Sequence, residues 1–238
     1  MKLLDGKRSL VTGGSAGIGK AIAASMCMAG AQTVIAARRE GPLHDAAEEM
    51  GATPIVADIS GDSGAEALAA AALDHLGGLD MLVLSAGVFM AGRLDERPID
   101  EFVAMLGANV VGPLALARRC LPALIESRGD LVVINSTVTR AANISGRAFF
   151  AAGCHALKAL TDGLRDEFSG QGVRVTSIYP GTSATPRTEW LRQSAGHVYS
   201  PDRLLQPADV ANAVMSVVLL GPTAEVTDLY VRPRYKTD

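Results

Sequence analysis

Short, solidly apolar runs alternate along this chain with longer stretches that carry apolar residues at helical spacing. The apolar runs predict strands at Arg8–Thr12, Thr33–Ala37, Pro54–Ala57, Asp80–Ser85, Leu131–Asn135, Val173–Tyr179 and Val226–Val231. The stretches between them predict helices over Ile18–Ala29, Leu43–Met50, Gly64–Leu76, Ile99–Ser127, Arg147–Phe168 and Pro207–Leu219. Pro113 and Pro122 are expected kinks or boundaries in the long fourth helix. Strands that are apolar throughout, rather than alternating with polar residues, belong to a parallel sheet covered on both faces. The βαβ alternation then implies a single α/β domain over residues 1–238. Its sheet is doubly wound and Rossmann-like, with helices on both faces and right-handed crossovers. In such a sheet, ligands bind at the carboxyl ends of the strands, where the strand order reverses. Residues 181–206 form the least regular stretch, about as long as an active-site lid.

Composition narrows the function classes. Apolar residues make up 48% of the 238 and charged residues 20%, which fits a folded protein rather than a disordered one. The net charge of −3 gives no general attraction to nucleic acid or to an anionic membrane. No uninterrupted apolar run approaches the roughly 20 residues of a membrane span, and Met1–Arg8 is short and charged, unlike a signal peptide. Cys27, Cys120 and Cys154 are odd in number and widely spaced, so a cytoplasmic setting without disulfides is expected. His44, His75, His155 and His197 lack metal-ligand spacing, and no metal is expected.

The first candidate chemistry follows the first strand. Thr12, Gly13, Gly14, Ser15, Ala16, Gly17, Ile18 and Gly19 lie between a strand and a helix. Glycines there permit a tight turn and let a pyrophosphate approach the backbone. The helix N-terminus adds free N–H groups and the positive end of its dipole. The second strand ends in Ala36-Ala37-Arg38-Arg39. A site for NAD(H) usually carries an acid here for the ribose 2′-OH. An alanine in that place, followed by arginines able to pair with a 2′-phosphate, points to NADP(H) instead.

Further motifs come in order. Asp58-Ile59 follows the third strand and Leu84-Ser85-Ala86-Gly87 ends the fourth. Asn109 lies in the long helix, Ser136 follows the fifth strand, and Pro180-Gly181-Thr182-Ser183-Ala184-Thr185 follows the sixth. With the glycine turn, these segments resemble the short-chain dehydrogenase/reductase family over essentially the whole chain. The resemblance implies that Asp58 and Ile59 lie against adenine and that the Ser85–Gly87 stretch borders the cofactor. It also implies that Pro180, Gly181, Thr182 and Thr185 embrace the nicotinamide end. Asn109 and Ser136 take the places of an active-site asparagine and serine, and Thr137 is an alternative hydroxyl for the serine.

The family's YxxxK pair does not appear. One register reads Cys154-His155-Ala156-Leu157-Lys158 and keeps the lysine; the other reads Phe150 through Cys154 and replaces both residues. Leu164-Arg165 falls where the family's Leu-Arg pattern should fall only in the second register, so Phe150 is read as the tyrosine and Cys154 as the lysine. Tyr179, at the end of the sixth strand, is either a substitute acid or a packing residue; Tyr199 and His197 in the lid could swing inward. The reading is an NADP(H)-dependent oxidoreductase acting on a small or medium apolar carbonyl or conjugated carbonyl compound, with atypical proton donation. The alternatives are a non-redox isomerase, lyase or cyclase, and an inactive NADP(H)-binding protein. The resemblance further implies a homodimer or homotetramer.

Overall fold

The computed structural model describes residues 2–235. Seven strands form one parallel sheet: β1 (Arg8–Thr12), β2 (Gln32–Ala37), β3 (Thr53–Val56), β4 (Met81–Leu84), β5 (Asp130–Ile134), β6 (Arg174–Pro180) and β7 (Asp228–Val231). Their spatial order is β3-β2-β1-β4-β5-β6-β7. The chain runs outward from β1 to β3, then returns to place β4 on the other side of β1. That reversal opens a crevice at the carboxyl ends of β1 and β4, as the doubly wound reading requires.

Helices cover both faces. On one side α1 (Gly17–Met28), α2 (Glu40–Met50) and α8 (Pro207–Val218) bury Ile22, Met26, Leu43 and Val214 against Val11, Ile35 and Val83. On the other, α3 (Asp62–Leu76), α5 (Gly112–Ser127) and α6 (Ala148–Phe168) pack around Leu10, Leu82, Leu116, Leu124 and Val133. Consecutive strand residues such as Leu10 and Val11 thus enter opposite cores, which is why the strands read as unbroken apolar runs.

Two expectations need correction. The stretch 181–206 contains a helix, α7 (Pro186–Ser194). Thr185 caps it by accepting a hydrogen bond from the Thr188 N–H, and Pro186 occupies its first position, where a missing N–H costs nothing. The long helical region also passes a length and composition test for crossing a membrane. It runs as one 29-residue helical stretch, Ile99–Ser127, within which an 18-residue window has a mean hydropathy of 1.4. No uninterrupted apolar run marks it, because Asp100, Glu101 and Asn109 interrupt the apolar residues without ending the helical stretch. Leu116, Ala117, Cys120 and Leu124 on this stretch are buried in the sheet-facing core.

Inside that stretch α4 (Ile99–Leu106) passes through one wide turn, Gly107–Val111, before α5 begins. Pro113 falls in the first turn of α5 and marks a boundary, while Pro122 lies within the helix. The wide turn lets the chain approach the end of β3: a Cβ on Gly112 would lie 1.6 Å from the Ile59 carbonyl oxygen.

Candidate active site

Thr12 ties the two strands at the reversal. Its hydroxyl accepts hydrogen bonds from the backbone N–H groups of Ser85 (3.0 Å) and Ala86 (3.1 Å), fixing the ends of β1 and β4 side by side. The chain then turns through Gly13 with φ +72°, and the Gly13 N–H bonds the Ala36 carbonyl at 2.8 Å. A Cβ on Gly19 would stand 2.4 Å from the Gly13 carbonyl oxygen, so α1 starts this close to the turn only with glycine there. Ala16, the residue preceding α1, gives no side-chain cap, and the first turn of α1 holds no acid. Its N–H groups are therefore available to an anion.

This turn forms one wall of a cleft of about 970 Å³. Gly13, Ser15, Ala16, Gly17, Ile18 and Gly19 line it, with Arg38, Arg39, Asp58, Ile59, Ser85, Ala86, Gly87 and Thr185. These predicted positions, spread along the chain from Gly13 to Thr185, meet in one place. A hydrogen bond from the Ser60 backbone N–H holds the Asp58 carboxyl below the ordinary carboxylate range, and Arg38 adds attraction. Pro180, Gly181 and Thr182 do not reach the wall. Gly181 instead lies against Arg232 and Pro233, where a Cβ would meet the Pro233 ring at 2.8 Å.

The far end of the cleft is apolar. Phe150 and Cys154, one turn apart on α6, both line it. The Phe150 ring meets Phe89 edge-on at a centroid separation of 4.9 Å. Cys154 packs with Val138 and Ala151, and burial pushes its thiol up to about 12. Lys158, a turn further along α6, is absent from the cleft wall. Its ammonium bonds Asp162 at 2.7 Å and lies 3.8 Å from Asp228.

The predicted polar groups at this end are largely engaged. Asn109 lines the cleft but spends its amide on one partner: Oδ1 accepts from the Val88 N–H (2.7 Å) and Nδ2 donates to the Val88 carbonyl (2.8 Å). Ser136 is not on the cleft wall, and its hydroxyl accepts from the Val138 N–H. Its neighbour Asn135, which the sequence reading gave no role, does line the cleft and donates to the Cys154 carbonyl at 3.1 Å.

Tyr179 faces elsewhere. Its ring is fully buried and stacks on Tyr230 at 4.2 Å, and desolvation raises its pKa. Strand alternation explains this: Ile178 enters the α1–α8 core, so Tyr179 turns to the opposite face, beside its β7 register partner. Tyr199 and His197 also lie off the wall. Arg187, Trp190 and Leu191, all from α7, line the cleft, although the sequence offered no motif for them.

A parallel sheet in this strand order, with a glycine turn entering a helix at its reversal point, defines a dinucleotide-binding α/β protein. The short chain dehydrogenase family model matches residues 7–196, and the chain belongs to that family. An oxidoreductase of Staphylococcus aureus, itself uncharacterized, is 31% identical over 241 residues, covering 98% of this chain and all of its own. Among solved structures, an actinorhodin polyketide ketoreductase variant with NADPH superposes with a TM-score of 0.86 at 25% identity, over 94% of this chain and 95% of its own. A metagenomic short-chain oxidoreductase in complex with NADP superposes with 0.84 at 26% identity, over 98% of this chain and all of its own.

Proposed function

We propose that this protein is an NADP(H)-dependent oxidoreductase acting on an apolar carbonyl or conjugated carbonyl compound, without a tyrosine as its proton donor. The observation that carries the cofactor assignment is the cradle of Gly13, Gly17 and Gly19 beside Arg38, with Ala36 and Ala37 where an NAD site would carry its acid. Gly19 has no room for a side chain, Gly13 and Gly17 turn at φ +72° and +56°, and the cleft volume suits a dinucleotide. The structural relatives described with NADPH and NADP support the same reading. When bound, the nicotinamide supplies or accepts the hydride.

The chain's own residues divide the remaining work. The α1 N-terminus and glycine turn hold phosphate, Arg38 holds the 2′-phosphate, and α7 covers the cleft as a lid. Phe150 and Cys154 stand where the family's tyrosine and lysine would stand, a register supported by their shared position on the cleft wall and by Lys158 turning away. Loss of a positioned general acid typically costs about 10²–10⁴-fold. Substrates whose reduced form is a stabilised anion, such as enones and quinones, suit this site because water can protonate them. Phe89, Phe150, Trp190 and Leu191 favour an apolar body on the acceptor.

A second reading is a family member that binds the cofactor without turning it over. It is favoured by the replacement of the proton-transfer pair by a phenyl ring and a buried, un-ionised thiol. NADPH carrying deuterium on the transferable face, incubated with ketones, enones and quinones, separates the two. Label in a product, seen by mass spectrometry, supports the oxidoreductase. Tight NADPH binding with no label transferred favours the second reading.

A further inference from the structure

Three cationic side chains line the cleft, Arg38, Arg39 and Arg187, against the single carboxylate of Asp58. Arg38 and Arg39 follow β2, where the 2′-phosphate reading places them. Arg187 comes from the opposite wall and has no such explanation. It sits in the first turn of α7, where the helix dipole disfavours positive charge. Its guanidinium reaches across the cleft and donates to the Gly87 carbonyl at 2.6 Å. Among the described residues no carboxylate pairs with it.

The surroundings of Arg187 identify the anion it suits. Gly87 directly follows Ala86, whose N–H is fixed to Thr12 at the start of the glycine turn. Thr185, two residues before Arg187, approaches Gly17: a Cβ there would meet the Thr185 methyl at 3.2 Å. Arg187 therefore belongs to the part of the lid that closes over the glycine turn, opposite the free N–H groups of α1. Burial by the cleft wall lowers its pKa and Arg38 repels it, while solvent still reaches the side chain through the open cleft. A cation so placed gains most from an anion between the two walls.

We propose that Arg187 is a lid-borne clamp for the cofactor's pyrophosphate, exchanging its bond to the Gly87 carbonyl for the phosphate oxygens. The inference rests on the NADP(H) reading above and adds a second, mobile source of charge to the fixed N–H groups of the turn. It also makes lid closure responsive to the cofactor, because the bridging diphosphate, rather than the 2′-phosphate, recruits α7.

The test is equilibrium binding. Trp190 is the only tryptophan in the chain and lines the cleft beside Arg187, so its fluorescence reports binding directly. Isothermal calorimetry checks the affinities. The probes are NADP+, NAD+ and adenosine 2′-monophosphate, which carries the 2′-phosphate but no phosphate at the 5′ position. Arg187→Met is expected to weaken NADP+ and NAD+ by the same factor, about 10- to 100-fold, and to leave the monophosphate within about twofold. Arg187→Lys should recover part of the loss, since a point charge keeps attraction but not fork geometry. Arg38→Met should instead weaken NADP+ and the monophosphate and spare NAD+. Equal affinities for wild type and Arg187→Met would overturn the clamp, as would a loss confined to NADP+ and the monophosphate. A wild-type protein that binds none of the three probes would sink the cofactor reading itself, and the clamp with it. Unchanged circular dichroism and melting temperature confirm that each variant is folded.

Discussion

In the proposed register, a hydroxyl on the Phe150 ring and an ammonium at position 154 would restore the two groups that the family's proton transfer uses. Both side chains already line the cleft from one face of α6, so the double substitution Phe150→Tyr with Cys154→Lys is the direct test of their register. Ketone reduction, followed as loss of NADPH absorbance, should rise by about 10²-fold over wild type, the low end of what a positioned acid contributes. No gain, with NADPH affinity intact, would show that another residue pair holds these roles. The lysine enters a site packed by Val138 and Ala151, so a cost of about 1–3 kcal/mol is expected, visible as a lower melting temperature. The wild-type thiol gives a second test. With its pKa pushed to about 12, Cys154 is thiolate in only about one molecule in 10⁴ at pH 8. Cys120 is raised to about 12 as well, also by burial. Ellman's reagent should therefore leave both thiols unmodified in the native protein and titrate them once guanidinium unfolds it. Rapid native labelling of Cys154, located by peptide mapping, would mean that the cleft ionises it after all.

The helix α7 shows where pattern reading stops working at the level of elements. The strand Met81–Leu84 was legible to within a residue at each end because burial on two faces demands an unbroken apolar run. Helix α7 buries none of its residues, so it carries no apolar stripe to read. Its start signal, Thr185 followed by Pro186, was present in the sequence, but it lay within a segment read for its resemblance to a cofactor loop. The Thr185 cap is worth about 1 kcal/mol to the helix. Thr185→Ala should accordingly speed amide hydrogen exchange across residues 186–194 by about fivefold while leaving exchange in β1 and β4 unchanged. Unaltered exchange in α7 would mean that the cleft contacts of Arg187 and Leu191, not the cap, hold the helix. Arg187 itself was not legible for a related reason: its partner Gly87 is 100 residues away, and no local pattern marks such a pairing. Of the two roles open to Tyr179, the structure gives packing: strand alternation turns this ring toward Tyr230 and off the cleft wall.

Across the whole molecule, the two edges of the sheet have separate tasks, and the topology assigned them before any side chain was considered. The carboxyl edge carries the cleft, and the sequence located it through the glycine turn and the strand reversal. The opposite edge holds the strands together with charges. Asp80, just before β4, accepts from the Arg8 backbone N–H (3.1 Å), Arg8 Nε (2.7 Å) and Lys7 Nζ (3.1 Å). Asp130, at the start of β5, takes two bonds from Arg174, at 2.7 and 2.9 Å. Burial pushes the Asp80 carboxyl up, but Arg8 and Lys7 outweigh it and leave its pKa below the ordinary value. For Asp130 burial prevails over Arg174, and its pKa is raised. The signs of the pH dependence are therefore opposite. The stabilisation from Asp80 is complete above about pH 4 and is lost as pH falls through its lowered folded-state value. Asp130 favours its protonated form in the fold, so its contribution grows as pH falls toward about 4. Asp80→Asn should then cost about 2 kcal/mol at pH 7, the worth of hydrogen bonds to a charged group, and flatten the loss of stability on acidification. Asp130→Asn should cost less at pH 7, because Arg174 also donates to the Leu220 and Ala224 carbonyls and keeps those partners. Urea unfolding at pH 7 and pH 4 measures both. Neither substitution touches the cleft, so the NADPH dissociation constant should stay within about twofold of wild type wherever the protein remains folded. An affinity that falls together with stability would mean that the two edges of the sheet are coupled, and that strand pairing at the base sets the geometry of the glycine turn.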